Sequence, residues 1–183
     1  MKALSLTRPW GTLAILGEKG WDTRPRVFNR NHFGITAIHA SKGFPKKLKE
    51  VYPGGLEEVW SIACFQDALK AHGYESPSAL PESAILGVVD ILRYERTEAI
   101  RDSLSEKERA FGVYTDGRWA YELANPQRIE PIPCGGHQGL WTVPDDIERQ
   151  INEQLPNTQR LWRASKVKVI EPEKGVIERS LYG

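Results

Sequence analysis

Leu4-Ser-Leu-Thr-Arg-Pro-Trp10, followed after a short apolar run by Gly17-Glu-Lys-Gly-Trp-Asp-Thr-Arg24, is the stretch on which the reading of the fold turns. Ala3, Leu4 and Leu6 predict a short first strand. Thr7 stands where it can cap a helix that begins near Pro9, a residue tolerated in a first helical turn. Trp10, Leu13, Ala14 and Gly17 fall on one helical face, and Gly17 suits the left-handed end of that helix. Trp21 to Arg24 then reads as extended. Side chains alternate along a strand, so Asp22 and Arg24 share one face and Trp21 and Thr23 the other. Lys19 lies at the turn between helix and strand. A carboxylate flanked by two cations keeps its ionised form. It can hold a substrate or, if desolvated, act as a base. As an exposed ion pair it would contribute only about 0–1 kcal/mol to stability.

Working outward, Ile35 to Ala40 alternates as a strand with Ile35, Ala37 and His39 on one side and Thr36, Ile38 and Ala40 on the other. Ser41 to Gly55 reads as a basic loop. Leu56, Val59, Trp60, Ala63, Ala68 and Leu69 predict one amphipathic helix that Gly73 stops. Ala84 to Tyr94 reads as a strand with Ile85, Val89 and Ile91 on one face and Leu86, Val88, Asp90 and Leu92 on the other. Ser105-Glu-Lys-Glu108 has capping-box spacing, and Thr115-Asp-Gly117 signals a turn. Arg118 to Leu123 is an aromatic-rich strand. A stretch punctuated by Pro and Gly leads to Gln138-Gly-Leu-Trp141, then to a helix near Asp145 to Gln154. Lys166 to Ile170 and Val176 to Arg179 can pair as a hairpin. Short strands with interspersed helices predict an α+β fold, a small mixed β-barrel with flanking helices.

The chain has 183 residues, enough for one domain with appendages. Met1 to Glu50 carries ten Lys and Arg against three Asp and Glu, a net of +7. The whole chain sums to +1, so the remaining 133 residues sum to −6. This split suits one face to a polyanion, unless folding intermixes the charges. Two cysteines without a CxxC pair, and scattered histidines, argue against structural zinc, and no cofactor is expected. A disulfide between Cys64 and Cys134 is possible but not required. No signal peptide or long apolar span is present, which points to a cytoplasmic protein with no membrane partner.

Several residues could carry chemistry, each beside a plainer reading. Arg8 and Trp10 offer a phosphate contact and a stacking plane, or Trp10 fills the core. His39 and Ser41 end the central strand, where side chains emerge from a barrel mouth, although a strand His is often a hydrogen-bonded core residue. Lys42, Lys46, Lys47 and Lys49 form a solvated basic loop or contact phosphates. Asp90, inside an apolar strand, would need a partner or a raised pKa if buried. Trp119 is a core residue or a base-stacking platform. Gly135-Gly-His-Gln-Gly139 lacks the Lys-Ser/Thr of a phosphate loop.

Taken together, Leu4-Ser-Leu-Thr-Arg-Pro-Trp10, Gly17-Glu-Lys19 and Trp21-Asp-Thr-Arg24 resemble the signature of ASCH domains, here of a bacterial or phage type. Ile38-His-Ala-Ser-Lys42, Ile85-Leu-Gly-Val-Val-Asp90, Gly117-Arg-Trp-Ala-Tyr-Glu-Leu123 and Gly136-His-Gln-Gly-Leu-Trp141 look like its later blocks, in order. The resemblance spans about residues 1–145, leaving 146–183 as a helix and hairpin extension packed on the barrel. It implies a PUA-like barrel with a central cleft, RNA binding and a role in RNA metabolism. Some members are amidohydrolases on N-acylated cytidine, and ribonuclease activity occurs in others. The amidohydrolases use a lysine and a threonine of the Gly-x-Lys element and a later glutamate. Lys19 matches the lysine, Asp22 stands at the threonine position, and Asp90 can be aligned with the glutamate. That exchange of Thr for Asp removes the lysine-activated hydroxyl. The expected function is binding of RNA, other single-stranded nucleic acid or a modified nucleoside. Arg8, Trp10, Lys19, Trp21, Arg24, His39, Ser41 and Lys42 would form the binding surface. The alternatives are a hydrolase using Lys19, Asp22 and Asp90, and a protein adaptor that docks through the 166–179 hairpin.

Overall fold

The structure, a computed structural model, describes residues 1–27 and 32–156. The hairpin expected at 166–179 lies outside the described residues. Six strands, β1 (Lys2–Thr7), β2 (Trp21–Arg24), β3 (Gly34–Ser41), β4 (Ala84–Arg96), β5 (Trp119–Pro133) and β6 (Leu140–Thr142), form one mixed sheet in the order β2-β5-β4-β3-β1-β6. Only β1 and β3 run parallel; the other neighbours are antiparallel. The expected α+β architecture is therefore present.

The sheet curls without closing a hydrogen-bonded ladder. β6 pairs only with Lys2, Ala3 and Leu4, which leaves the Ser5 carbonyl beyond its end. Arg24, on the opposite edge strand, donates Nη2 to that carbonyl at 3.3 Å. Asp22 and Arg24 lie on the same face as Tyr121, their neighbour on β5. That face is the inside of a half-barrel whose seam is bridged by a side chain. Leu4, Leu6, Ile38, Leu86, Val89 and Tyr121 line it, packed against Ala14 and Ile15 of α1 (Trp10–Ile15). The outer face carries a second core, where Ala3, Ala37, Val88 and Trp141 meet Ile147 and Ile151 of α7 (Asp145–Gln154).

Some local expectations are corrected. No side-chain cap opens α1, so Thr7 does not cap it. The basic loop contains one helical turn, α2 (Lys46–Lys49). The single helix expected from Leu56 to Leu69 is two, α3 (Leu56–Ser61) and α4 (Ala63–Lys70), with Ile62 extended between them. An unbroken helix would turn Phe65 about 120–140° away from Val59 and Trp60, because five and six residues both exceed one turn by a part-turn. The break lets Phe65, Ala68 and Leu69 join Val59 and Trp60 in a third core with Leu13 and Phe111.

In β4 the register shifts between Ile85 and Gly87, so Leu86 joins Val89 and Ile91 inside while Ile85 joins Val88 outside. The predicted facial pattern fails there because a bulge adds one residue to the alternation. β5 continues through Pro126, Pro131 and Pro133, where a loop was expected. β2 covers only Trp119 to Glu122, so the remainder of β5 has an edge on which a missing N–H is tolerated. Two short helices, α5 (Thr97–Ile100) and α6 (Glu106–Ala110), fill the β4–β5 connection. Both cysteines are free thiols. No helix among the described residues is long and apolar enough to cross a membrane.

Candidate functional site

Gly17, at φ +76°, ends α1, and the next two amides fold back onto the Leu13 carbonyl at 3.0 and 3.2 Å. This tight turn sends Lys19 inward, where it is only 2% exposed. Its Nζ lies 3.5 Å from Oε1 of Glu108 on α6. The hydroxyl of Ser105 accepts the Glu108 amide at 3.1 Å, half of the expected capping box. The Glu108 carboxylate instead holds the turn: Oε2 accepts from Gly20 N at 2.7 Å and Oε1 from the Tyr114 hydroxyl at 2.7 Å. One residue back, Lys107 pairs with Glu18, so two neighbours on the turn and two on α6 form crossed ion pairs. Burial pushes the Lys19 amine below the ordinary lysine value, opposed by the charges of Glu108 and Asp22. Burial, and then the Glu108 charge, pushes the Tyr114 phenol up, so it stays protonated as a donor.

Asp22 is buried on β2, and Arg24 donates Nε to its Oδ2 at 2.6 Å. The Asp22 charge holds the Arg24 guanidinium above its ordinary value. Arg118 reaches the same region, donating Nη2 to the Thr23 carbonyl at 3.3 Å and Nε to the Val113 carbonyl at 3.1 Å. Burial lowers its pKa, while the Asp22 charge counteracts this. The result is a polar cluster at the unclosed seam of the half-barrel. Asp22 and Arg24 stand at its centre, and the Asp22 charge reaches Lys19, Tyr114 and Arg118 around them, so cationic and hydrogen-bond-accepting groups share one electrostatic neighbourhood.

No protein-family model matches the chain, and no curated protein does. Three solved structures align with it over 83% of its length. All are of an ASCH protein from Zymomonas mobilis, two of them single-substitution variants. Each is 13% identical to this chain, with TM-scores of 0.49, 0.48 and 0.46. The alignments cover 93–96% of those chains.

The remaining expected site residues are dispersed. Asp90 lies between Val89 and Ile91 on β4 and so points to the outer face, away from the Asp22 side of the sheet. Its Oδ2 accepts from Asn125 Nδ2 at 2.8 Å. Glu108, not Asp90, is the carboxylate beside Lys19. Arg8 pairs with Glu82 at 2.6 Å and donates to the carbonyls of Leu80 and Lys42, tying loops together. Trp10 packs against Phe44, Tyr52 and Phe65 and donates Nε1 to the Phe111 carbonyl at 2.8 Å, so its core role prevails. Trp21 is buried with Ile100 and Tyr114, facing away from Asp22. His39 is buried between the Ser5 hydroxyl and the Cys134 carbonyl, 3.2 Å from each. Ser41 bonds the Gly43 carbonyl, and Lys42 stands exposed with Glu82 3.8 Å away. Glu108, Tyr114 and Arg118 were not found by sequence reading. The Ser105-x-x-Glu108 spacing marks the start of α6 but not where its carboxylate goes.

Proposed function

We propose that this chain is an ASCH-type protein that binds RNA or a nucleoside in the seam cleft, with a role in RNA metabolism. The observation that carries this is the convergence of Lys19, Asp22 and Arg24, joined by Arg118, at the edge of the half-barrel. The guanidiniums suit phosphate oxygens, and Asp22 suits the exocyclic amine of a base. Titrating labelled RNA oligonucleotides and nucleosides at rising salt tests the reading. Affinity should fall with salt, and Arg24→Ala should weaken RNA binding about tenfold and flatten the salt slope by about one. Absent or salt-indifferent binding would count against it.

A second reading, hydrolysis of an N-acylated cytidine or of RNA, is favoured by one observation. Lys19 is a desolvated amine with a lowered pKa, next to a carboxylate and a protonated phenol. With its own proton passed to Glu108, such an amine can take one from water as water adds to an acyl carbon. The amide C–N bond then breaks, and the exocyclic nitrogen leaves protonated. Hydrolysis of N-acylated cytidine that disappears in Lys19→Ala while the fold persists supports this; turnover unchanged in that variant removes Lys19 from it.

A further inference from the structure

The strand register places a second feature next to the seam cluster proposed as the binding cleft. β5 lies between β2 and β4. Arg24 is opposite Trp119 and Trp119 is opposite Arg96; two residues along, Asp22 is opposite Tyr121 and Tyr121 is opposite Tyr94. Opposed residues of an antiparallel pair share a face, as do residues two apart on one strand. Three strands therefore present two parallel rows on one face, Asp22-Tyr121-Tyr94 and Arg24-Trp119-Arg96. The first row runs into the inner core, where Tyr121 is fully buried. The second emerges at the rim, with Trp119 half-buried and Arg96 exposed.

The rim is aromatic as well as cationic. The Arg96 guanidinium lies 4.1 Å from the Trp119 ring centroid. Tyr94 meets Trp119 edge-on at 5.4 Å and 70°, and Phe33 stacks on Tyr94 at 6.0 Å and 5°. A tryptophan with an arginine on each neighbouring strand offers a π-surface between two phosphate-binding groups. Arg96 is held by this exposed cation–π contact, about 0.5–1 kcal/mol, and by a long exposed hydrogen bond from Nη1 to the Gly117 carbonyl at 3.4 Å, so a base can displace it or add to the stack.

We propose that the Arg24-Trp119-Arg96 row is a stacking platform for an unpaired base of a single-stranded RNA, its two arginines taking the flanking phosphates. The inference rests on the RNA reading of the cleft and narrows it from nucleoside or RNA to strand. A duplex keeps its base faces stacked and offers none to such a ring, whereas unpaired bases stack on aromatic side chains. The row lies two strand residues, about 6.6–6.8 Å, beyond Asp22. The platform therefore serves a base next to the one held at the cleft.

The test compares a short oligocytidine, whose bases carry the exocyclic amine that Asp22 suits, its duplex with oligoinosine, and cytidine alone, by anisotropy or calorimetry, in full-length wild type, Trp119→Ala, Trp119→Phe, Arg96→Gln and Arg24→Ala. The single strand should bind at least tenfold more tightly than duplex or nucleoside. Trp119→Ala should lose about tenfold or more, Trp119→Phe should retain most of the affinity, and Arg96→Gln should weaken binding with a shallower salt slope. If Trp119→Ala does not fold, the rim variant Arg96→Gln and the conservative Trp119→Phe still decide. Single-strand affinity that is unchanged in Trp119→Ala and Arg96→Gln but falls in Arg24→Ala overturns the platform and leaves the cleft standing. Equal affinity for strand and duplex also overturns it. Failure to bind any of the three probes overturns the platform and the cleft reading together.

Discussion

Single residues decide where the two faces of this sheet exchange. Gly87 has φ +154°, and a Cβ there would lie 2.1 Å from the Gln127 carbonyl oxygen across the β4–β5 pair. Gly87→Ala should therefore cost roughly 1–3 kcal/mol or more, read as a lower urea midpoint, because backbone rather than a mobile side chain must move. His39 shows a different kind of constraint. The Cys134 carbonyl can only accept, so it takes Nε2–H of the ring, and Nδ1 of the neutral ring then accepts from the Ser5 hydroxyl, which itself accepts Trp141 Nε1–H at 3.0 Å. The ring is satisfied as a neutral group, and burial pushes its pKa down, as it does for His32. The unfolded chain therefore takes up protons first as pH falls through about 6.5. The stability is fully present above that value and is lost below it. Chemical denaturation should give a smaller unfolding free energy near about pH 5 than near about pH 7.5. His39→Gln should reduce that difference, and a pH-independent midpoint in the wild type would contradict the assignment. The alternation that puts His39 with Ile35 and Ala37 was legible in sequence. Its partners were not, since Cys134 lies 95 residues away.

Elements are held to one another by a few crossed contacts. α6 docks on the Gly17 to Gly20 turn through Glu18 with Lys107, Lys19 with Glu108, and the Gly20 amide with Glu108. Removing Glu108 leaves the buried amine, the Gly20 amide and the Tyr114 hydroxyl without their acceptor. Glu108→Ala should cost roughly 3–5 kcal/mol, as breaking a buried pair does. Glu18→Ala, whose Lys107 partner is half exposed, should cost no more than about 1 kcal/mol. Double-mutant cycles in urea separate the two; equal coupling energies would show that α6 is not positioned through Glu108. The turn, the cap at Ser105 and strand β2 were each legible, because each depends on residues a few positions apart. The docking of one on another was not, and neither was the break at Ile62, where tertiary packing of Phe65 overrides a continuous helical pattern.

At the scale of the molecule, one sheet serves two cores, with α1 inside and α7 outside. We propose that α7 belongs to the same cooperative unit as residues 1–145 rather than to a separable extension. Ile38→Ala inside and Ile151→Ala outside should each cost about 2–5 kcal/mol. The double variant should equal their sum within about 0.5 kcal/mol and unfold in a single transition. Two resolved transitions would divide the chain. The basic first fifty residues are also a whole-molecule matter. Glu82 lies against Arg8 and Lys42, and Glu108 against Lys19, so two acidic residues from the rest of the chain meet three of the ten cations of this segment. By itself, the sequence determined the α+β class, the extended Trp21 to Arg24 element with Asp22 and Arg24 on one face, and the helix over Asp145 to Gln154. These follow from alternation and turn chemistry, which act over one strand or one helical turn. Only the tertiary structure decided that Glu108, 89 residues from Lys19, is its carboxylate, that Asp90 faces the other way, and that Trp119 stands between two arginines. Sheet order and bulges choose such partners, and they depend on how distant strands bury their apolar faces together.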